Sequence, residues 1–256
     1  MNIVKKILFP VDFSKCSETS IEYVLGLAKS DSNMECTLLH ITGNNEDAQP
    51  LLKNINDQKK KFSDEGIKCE AFIESGLINE VIIDFWKKTG IDLIVMGTTG
   101  SNRDLETHTT KLLQEVDCPV LIIPDGNKDF QMRSIALAID DKEFDDATDL
   151  QLFHDIAKWF DTKVHLLKVD NGNNKSESVS EEKEKTLEYY MQSLEYQYSF
   201  PQNRNIEKGI QDYIKEHKID TLAIIPRSNA KKSVSSEGKL TKVLAQHSNI
   251  PLLVLA

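Results

Sequence analysis

The stretch Ile7-Leu8-Phe9-Pro10-Val11-Asp12-Phe13-Ser14, "ILFPVDFS", returns in altered form as "IALAIDDK" at 135–142. In each copy a short apolar run ends on an aspartate at the same sixth place, Asp12 and Asp140. Further along, "CTLLHIT" at 36–42 answers "VHLLKVD" at 164–170, and "IDLIVMG" at 91–97 answers "IDTLAII" at 219–225. All three pairs share one spacing. The closing pair, "CPVLIIP" at 118–124 and "IPLLVLA" at 250–256, stands four residues further apart. A constant spacing over most of the chain means two homologous halves. The expected organisation is a domain over 1–125, a polar, glycine-bearing linker over 126–133, and a second domain over 134–256.

Within each half, short bunched runs of Ile, Leu and Val read as strands buried on both faces, the mark of a parallel sheet. Helical patterns separate them. "SETSIEYVLGLAKS" places Ile21, Val24, Leu25 and Ala28 on one face, and "DDATDLQLFHDIAKWF" does the same with Leu150, Phe153, Ile156, Ala157 and Phe160. The segments "LINEVIIDFWKKTG" and "NIEKGIQDYIKEHK" form the next matching pair of helices, and "THTTKLLQEVD" and "GKLTKVLAQHSN" the last. Each half is therefore an α/β unit of about five parallel strands, with helices on both faces of its sheet. The polar insert at 170–185 reads as a solvated loop leading into a helix.

With 39% hydrophobic and 28% charged residues the composition is that of a globular protein. A net charge of −10 opposes general nucleic-acid binding, and the one short basic stretch, "RSNAKK" at 227–232, does not offset it. No run is long and apolar enough for a membrane span or a signal peptide, so a cytoplasmic location and no membrane partner are expected. Cys16, Cys36, Cys69 and Cys118 show no CxxC spacing and read as reduced structural thiols. Cys16 carries a second reading: close to a helix start, the dipole would lower its pKa and suit redox sensing. The histidines are scattered, and no metal site is expected.

In a doubly wound sheet of order 3-2-1-4-5, the carboxyl ends of strands one and four are neighbours at the switch point where ligands bind. Asp12 stands at the first end and "GTTG", Gly97 to Gly100, at the second. A carboxylate there can accept from a ribose hydroxyl or an adenine amine, and small residues let backbone N–H groups approach phosphate. Each piece has a structural reading as well: an aspartate after a strand caps the next helix, and a Gly-x-x-Gly pair makes a turn.

"KKILFPVDFS", "LLHIT", "IDLIVMGTTG" and "CPVLIIP" resemble the universal stress protein family, and the resemblance runs through both halves. It implies two tandem repeats of a five-stranded parallel-sheet, doubly wound fold, universal-stress-protein-like and so adenine nucleotide alpha hydrolase-like. The family's ATP-binding members carry Gly-x-x-Gly, nine residues, then Gly and Ser or Thr. In the first half Gly97 and Gly100 fit, but the loop is four residues short, and Glu106 and Thr107 occupy the places of the third glycine and the hydroxyl residue. In the second half Gly238 fits, yet Ile225 and Ser228 replace the first two glycines, Pro226 removes a backbone donor and Lys239 replaces the hydroxyl.

Neither cradle is complete. The resemblance thus implies a stress-response regulatory or protective protein that works mainly through protein contacts, with nucleotide binding weak or lost. The alternative is an ATP or AMP sensor, with Mg if ATP, whose candidate residues are Asp12, Ile41, Met96, Gly97, Gly100 and Thr107; the degenerate counterparts are Asp140, Val169 and Gly238. No catalytic residues are expected, and no cofactor is certain. Family members dimerise through their last strand. By that resemblance the apolar "VLIIP" and "LLVLA" are expected to pair within the chain as a pseudo-dimer, with a homodimer of chains as a further option.

Overall fold

The computed structural model describes residues 4–43, 48–98, 108–139, 147–172, 181–225 and 239–255. The chain forms two compact units, 1–130 and 131–256. The first contains β1 (Lys6–Pro10), α1 (Lys15–Lys29), β2 (Glu35–Thr42), α2 (Ala48–Asp64), β3 (Lys68–Ser75), α3 (Ile78–Thr89), β4 (Leu93–Thr98), α4 (His108–Glu115) and β5 (Val120–Pro124). Its strands are all parallel, in the order β3-β2-β1-β4-β5.

The second unit contains β6 (Ser134–Ala138), α5 (Ala147–Trp159), β7 (Lys163–Leu167), α6 (Glu181–Met191), β8 (Tyr196–Ser199), α7 (Ile206–His217), β9 (Thr221–Ile224), α8 (Lys239–His247) and β10 (Leu252–Val254). Its order, β8-β7-β6-β9-β10, is the same 3-2-1-4-5 arrangement. The register repeats too. Ile7 faces Cys36 and Leu93, and Ile135 faces Val164 and Thr221.

The central strands explain their own composition. Ile7, Leu8 and Phe9 on β1 and Ile94 and Val95 on β4 are fully buried at consecutive positions, because helices cover both faces of the sheet. The outer strands differ: β3 alternates buried Cys69 with exposed Glu70, and β8 is half-buried throughout. On α1, Ile21, Val24 and Ala28 are buried as expected, while Leu25 is half-buried and Leu27 takes its place in the core. On α5, Leu150, Phe153, Ile156 and Ala157 are buried and Phe160 is half-buried. The insert expected as a loop at 170–185 contains the start of α6 at Glu181; residues 173–180 lie outside the described residues.

One polar device occurs in both units. The Asp92 carboxylate, just before β4, accepts hydrogen bonds from the backbone N–H groups of Lys5 and Lys6 through Oδ2, each at 2.9 Å. Asp220, just before β9, accepts in the same way from Arg133 at 3.0 Å and Ser134 at 3.1 Å. These are the aspartates of the repeated "ID" pairs. Each fastens the start of its unit's first strand to the start of its fourth.

Beneath α7 the second unit buries a polar cluster. His165 Nδ1 lies 2.8 Å from the Tyr213 hydroxyl, which lies 2.5 Å from Ser199 Oγ, and Gln197 Nε2 stands 3.2 Å from the same ring nitrogen. His217 stacks on Tyr213. Burial pushes the His165 pKa below its usual 6.5, assisted by the charges of His217 and Lys163 and opposed by Glu195. A folded-state histidine pKa below the unfolded value means the unfolded chain binds more protons on acidification. Stability of this unit is therefore expected to fall as pH drops below about 6.5, and His165→Gln should flatten that slope. Urea midpoints at a series of pH values from neutral to mildly acidic check this.

Candidate functional site

The turn between β1 and α1 is built by three side chains. Asp12 Oδ1 accepts the Ser14 N–H at 3.0 Å, and Ser14, the N-cap of α1, accepts the Ser17 N–H at 3.2 Å. Phe13 between them has φ of 57°, a left-handed conformation that costs a non-glycine residue about 1 kcal/mol or more. Its ring is held 4.5 Å from that of His40. The buried His40 donates from Nδ1 to the carbonyl of Val11 at 2.7 Å, so the end of β2 fixes the turn that presents Asp12. Sequence reasoning passed over His40, although the signal stood in "LLHIT", a histidine inside an apolar strand.

This turn forms one wall of a cleft of about 270 Å³ at the carboxyl ends of β1, β2 and β4, near the lower end of small-molecule pockets. Asp12, Ile41, Met96 and Gly97 all line it, together with Cys16, Ser17, His108 and Thr109 from the starts of α1 and α4. Ser17 Oγ is buried there without a hydrogen-bond partner among the described residues. Gly100 and Thr107 lie outside the described residues, as do Asp140, Gly238, Glu106, Ser228 and the basic stretch at 227–232. Val169 is described, half-buried just beyond β7; a Cβ on Gly209 of α7 would fall 2.7 Å from its Cγ1. The next residue, Asp170, lines a polar groove with Asn171, Asn203 and Arg204.

Two observations change how the cleft is understood. Gly97 lies at the end of β4 as expected, paired with Ile123. A Cβ there would stand 2.7 Å from Ser20 Oγ and 3.4 Å from Cys16 Sγ. The glycine is thus required by the close approach of α1 to the sheet. Second, the Cys16 thiol has its pKa raised, first by burial and then by the charges of Asp125 and Asp12. The direction is opposite to the lowering expected at the start of α1: burial and the two carboxylates raise the pKa, against the Ser20 hydrogen bond, which lowers it. Asp125 sits just past β5, its N–H donating to Thr98 O at 2.9 Å. The cleft has apolar walls in Ile41, Ile78 and Met96, hydroxyls from Ser14, Ser17, Thr98 and Thr109, and one carboxylate, Asp12, in its lining. Such a site suits a planar, largely apolar group that carries hydrogen-bond donors.

A doubly wound five-stranded α/β unit with a cleft at its switch point, present as a fold twice over, defines the class. A model of the universal stress protein family matches residues 4–124. The match spans the first unit, and the second unit carries the same arrangement of strands and helices. A universal stress protein of Helicobacter pylori is 28% identical over 138 residues, 45% of this chain and 97% of that protein. Universal stress protein MJ0577 of Methanocaldococcus jannaschii is 26% identical over 157 residues, 48% of this chain and 96% of that protein. A crystal structure of a universal stress protein from Archaeoglobus fulgidus is similar in fold over 98% of this chain and 97% of its own, with a TM-score of 0.74 at 18% identity. Among the described residues no helix is long and apolar enough to cross a membrane.

Proposed function

We propose that this chain is a tandem universal stress protein, that it serves the stress response mainly through contacts with other proteins, and that its first-unit cleft binds ATP weakly or not at all. The observation that carries this reading is the pair of carboxylates at the cleft. Asp12 lines it, and Asp125, just past β5, lies close enough to act with Asp12 on the Cys16 thiol of its wall, whose pKa burial raises first; both carboxylates oppose the charge of a triphosphate. Gly97 has a packing reason of its own, the approach of Ser20 on α1, so its presence does not by itself argue for a phosphate cradle. A nucleoside suits the donor set: Ile41 and Met96 offer an apolar wall and Asp12 an acceptor.

The second reading, an adenine-nucleotide sensor, draws support from Asp12, Ile41, Met96 and Gly97 sharing one cleft. Calorimetric titration with ATP and Mg separates the two. Absence of saturable heat at millimolar ATP is the expected result, and a micromolar Kd would overturn the first reading in favour of the second.

A further inference from the structure

Cys36 and Cys69 stand opposite one another on β2 and β3, in a parallel register that also pairs Glu35 with Lys68 and Leu38 with Ala71. Residues paired in this way project to the same face of the sheet. Neighbouring strands lie about 4.8 Å apart, within the roughly 4.4–6.8 Å that separates the Cα atoms of a disulfide. An ion pair from Lys68 Nζ to Glu35 Oε1 at 2.6 Å holds the register one residue earlier. Both thiols are reduced, 1% and 7% exposed, and Cys69 Sγ donates to the Glu70 carbonyl at 3.6 Å. In the second unit the matching register places Val164 opposite Tyr196, so the pair belongs to the first unit.

We propose that Cys36 and Cys69 form a redox-active dithiol that a hydroperoxide oxidises to a disulfide, tying β3, the outermost strand of the unit, to β2. The two sulfurs have different parts. The adjacent Cys69 and full burial keep Cys36 protonated, its pKa well above the usual thiol range. The neighbouring Cys36 and the Lys59 ammonium of α2 lower the Cys69 pKa, opposed by burial and Glu70. Cys69 is also the more exposed of the two, 7% against 1%, and is the attacking thiolate. Its sulfur attacks one peroxide oxygen, the O–O bond breaks, and the departing alkoxide or hydroxide takes up a proton, leaving a sulfenic acid. Cys36 sulfur then attacks the sulfenic sulfur, its proton leaving with the displaced hydroxide as water. Two thiols and one hydroperoxide give one disulfide, one alcohol or water, and one further water; sulfur is oxidised and the peroxide reduced. Strand β2 runs on from Cys36 to Ile41 in the cleft wall, so the link stiffens that wall as well.

The test uses the full chain and hydrogen peroxide, followed by alkylation in denaturant, intact mass and peptide mapping. Oxidised protein should lose two of its four alkylatable thiols and two hydrogens in mass, yield a peptide linking Cys36 to Cys69, and recover all four thiols on reduction. Cys36→Ser should trap a dimedone-reactive sulfenic acid at Cys69, while Cys69→Ser should leave Cys36 unreactive. Four thiols persisting under peroxide that oxidises a model dithiol would overturn the proposal, as would a linkage through Cys16 or Cys118 or between two chains. Mapping of the unaltered protein stands even if either variant fails to fold.

Discussion

Gly97→Ala is expected to destabilise the first unit by about 1–3 kcal/mol. A methyl group at this position meets Ser20 Oγ at 2.7 Å and Cys16 Sγ at 3.4 Å, both on α1. The Ser20 hydroxyl must then turn to another rotamer, or α1 and β4 must part, and either change disturbs a core in which Ile21, Val24 and Ile94 are buried. Adding Ser20→Ala to Gly97→Ala removes the nearest atom and should restore most of the loss, a coupling of about 1 kcal/mol or more in a double-mutant cycle of urea midpoints. Additive losses in the double variant, or a neutral Gly97→Ala, would show that the glycine serves something other than helix–sheet packing.

Asp92→Ala is expected to cost about 1–2 kcal/mol, since it strips the acceptor from two backbone N–H groups at the start of β1. Asp220→Ala should do the same to the start of β6 through Arg133 and Ser134. Asn at either position keeps an acceptor oxygen without the charge and should lose less. Hydrogen exchange locates the damage: amides of β1 should lose protection in the Asp92 variant and those of β6 in the Asp220 variant. Equal loss in both units from one substitution would contradict the view that each aspartate fastens its own sheet.

The fold was legible where both faces of a strand are covered. Runs such as Ile7 to Phe9 and Leu93 to Met96 are apolar at successive positions because no face meets water. The outer strands left a fainter mark. In β3 the exposed Glu70, Phe72 and Glu74 interrupt the apolar run, and in β8 four half-buried residues supply no run at all. α2 was unmarked for a related reason: it carries mostly exposed Lys, Asn and Asp and buries only a few residues, among them Ile55, Gln58 and Phe62.

The cleft was legible in its members and not in their reasons. Strand order brings Asp12 and Gly97 together, and the family resemblance adds Ile41 and Met96, all of which line the cleft. What makes Gly97 necessary is Ser20, a residue far away in sequence whose hydroxyl reaches the strand only after α1 has docked. The raised pKa of Cys16 likewise needs Asp125, which arrives from beyond β5. Pairing of Cys36 with Cys69 depends on the β2–β3 register, which the spacing of cysteines along the chain does not reveal.

The most direct measurement of the central claim, an acidic cleft built by packing rather than for phosphate, is the order of affinities for adenosine, AMP and ATP at low ionic strength. Calorimetry should find adenosine bound at least as tightly as AMP and ATP weakest, because each phosphate adds charge against Asp12 and Asp125. Affinity that rises from adenosine to ATP would contradict it.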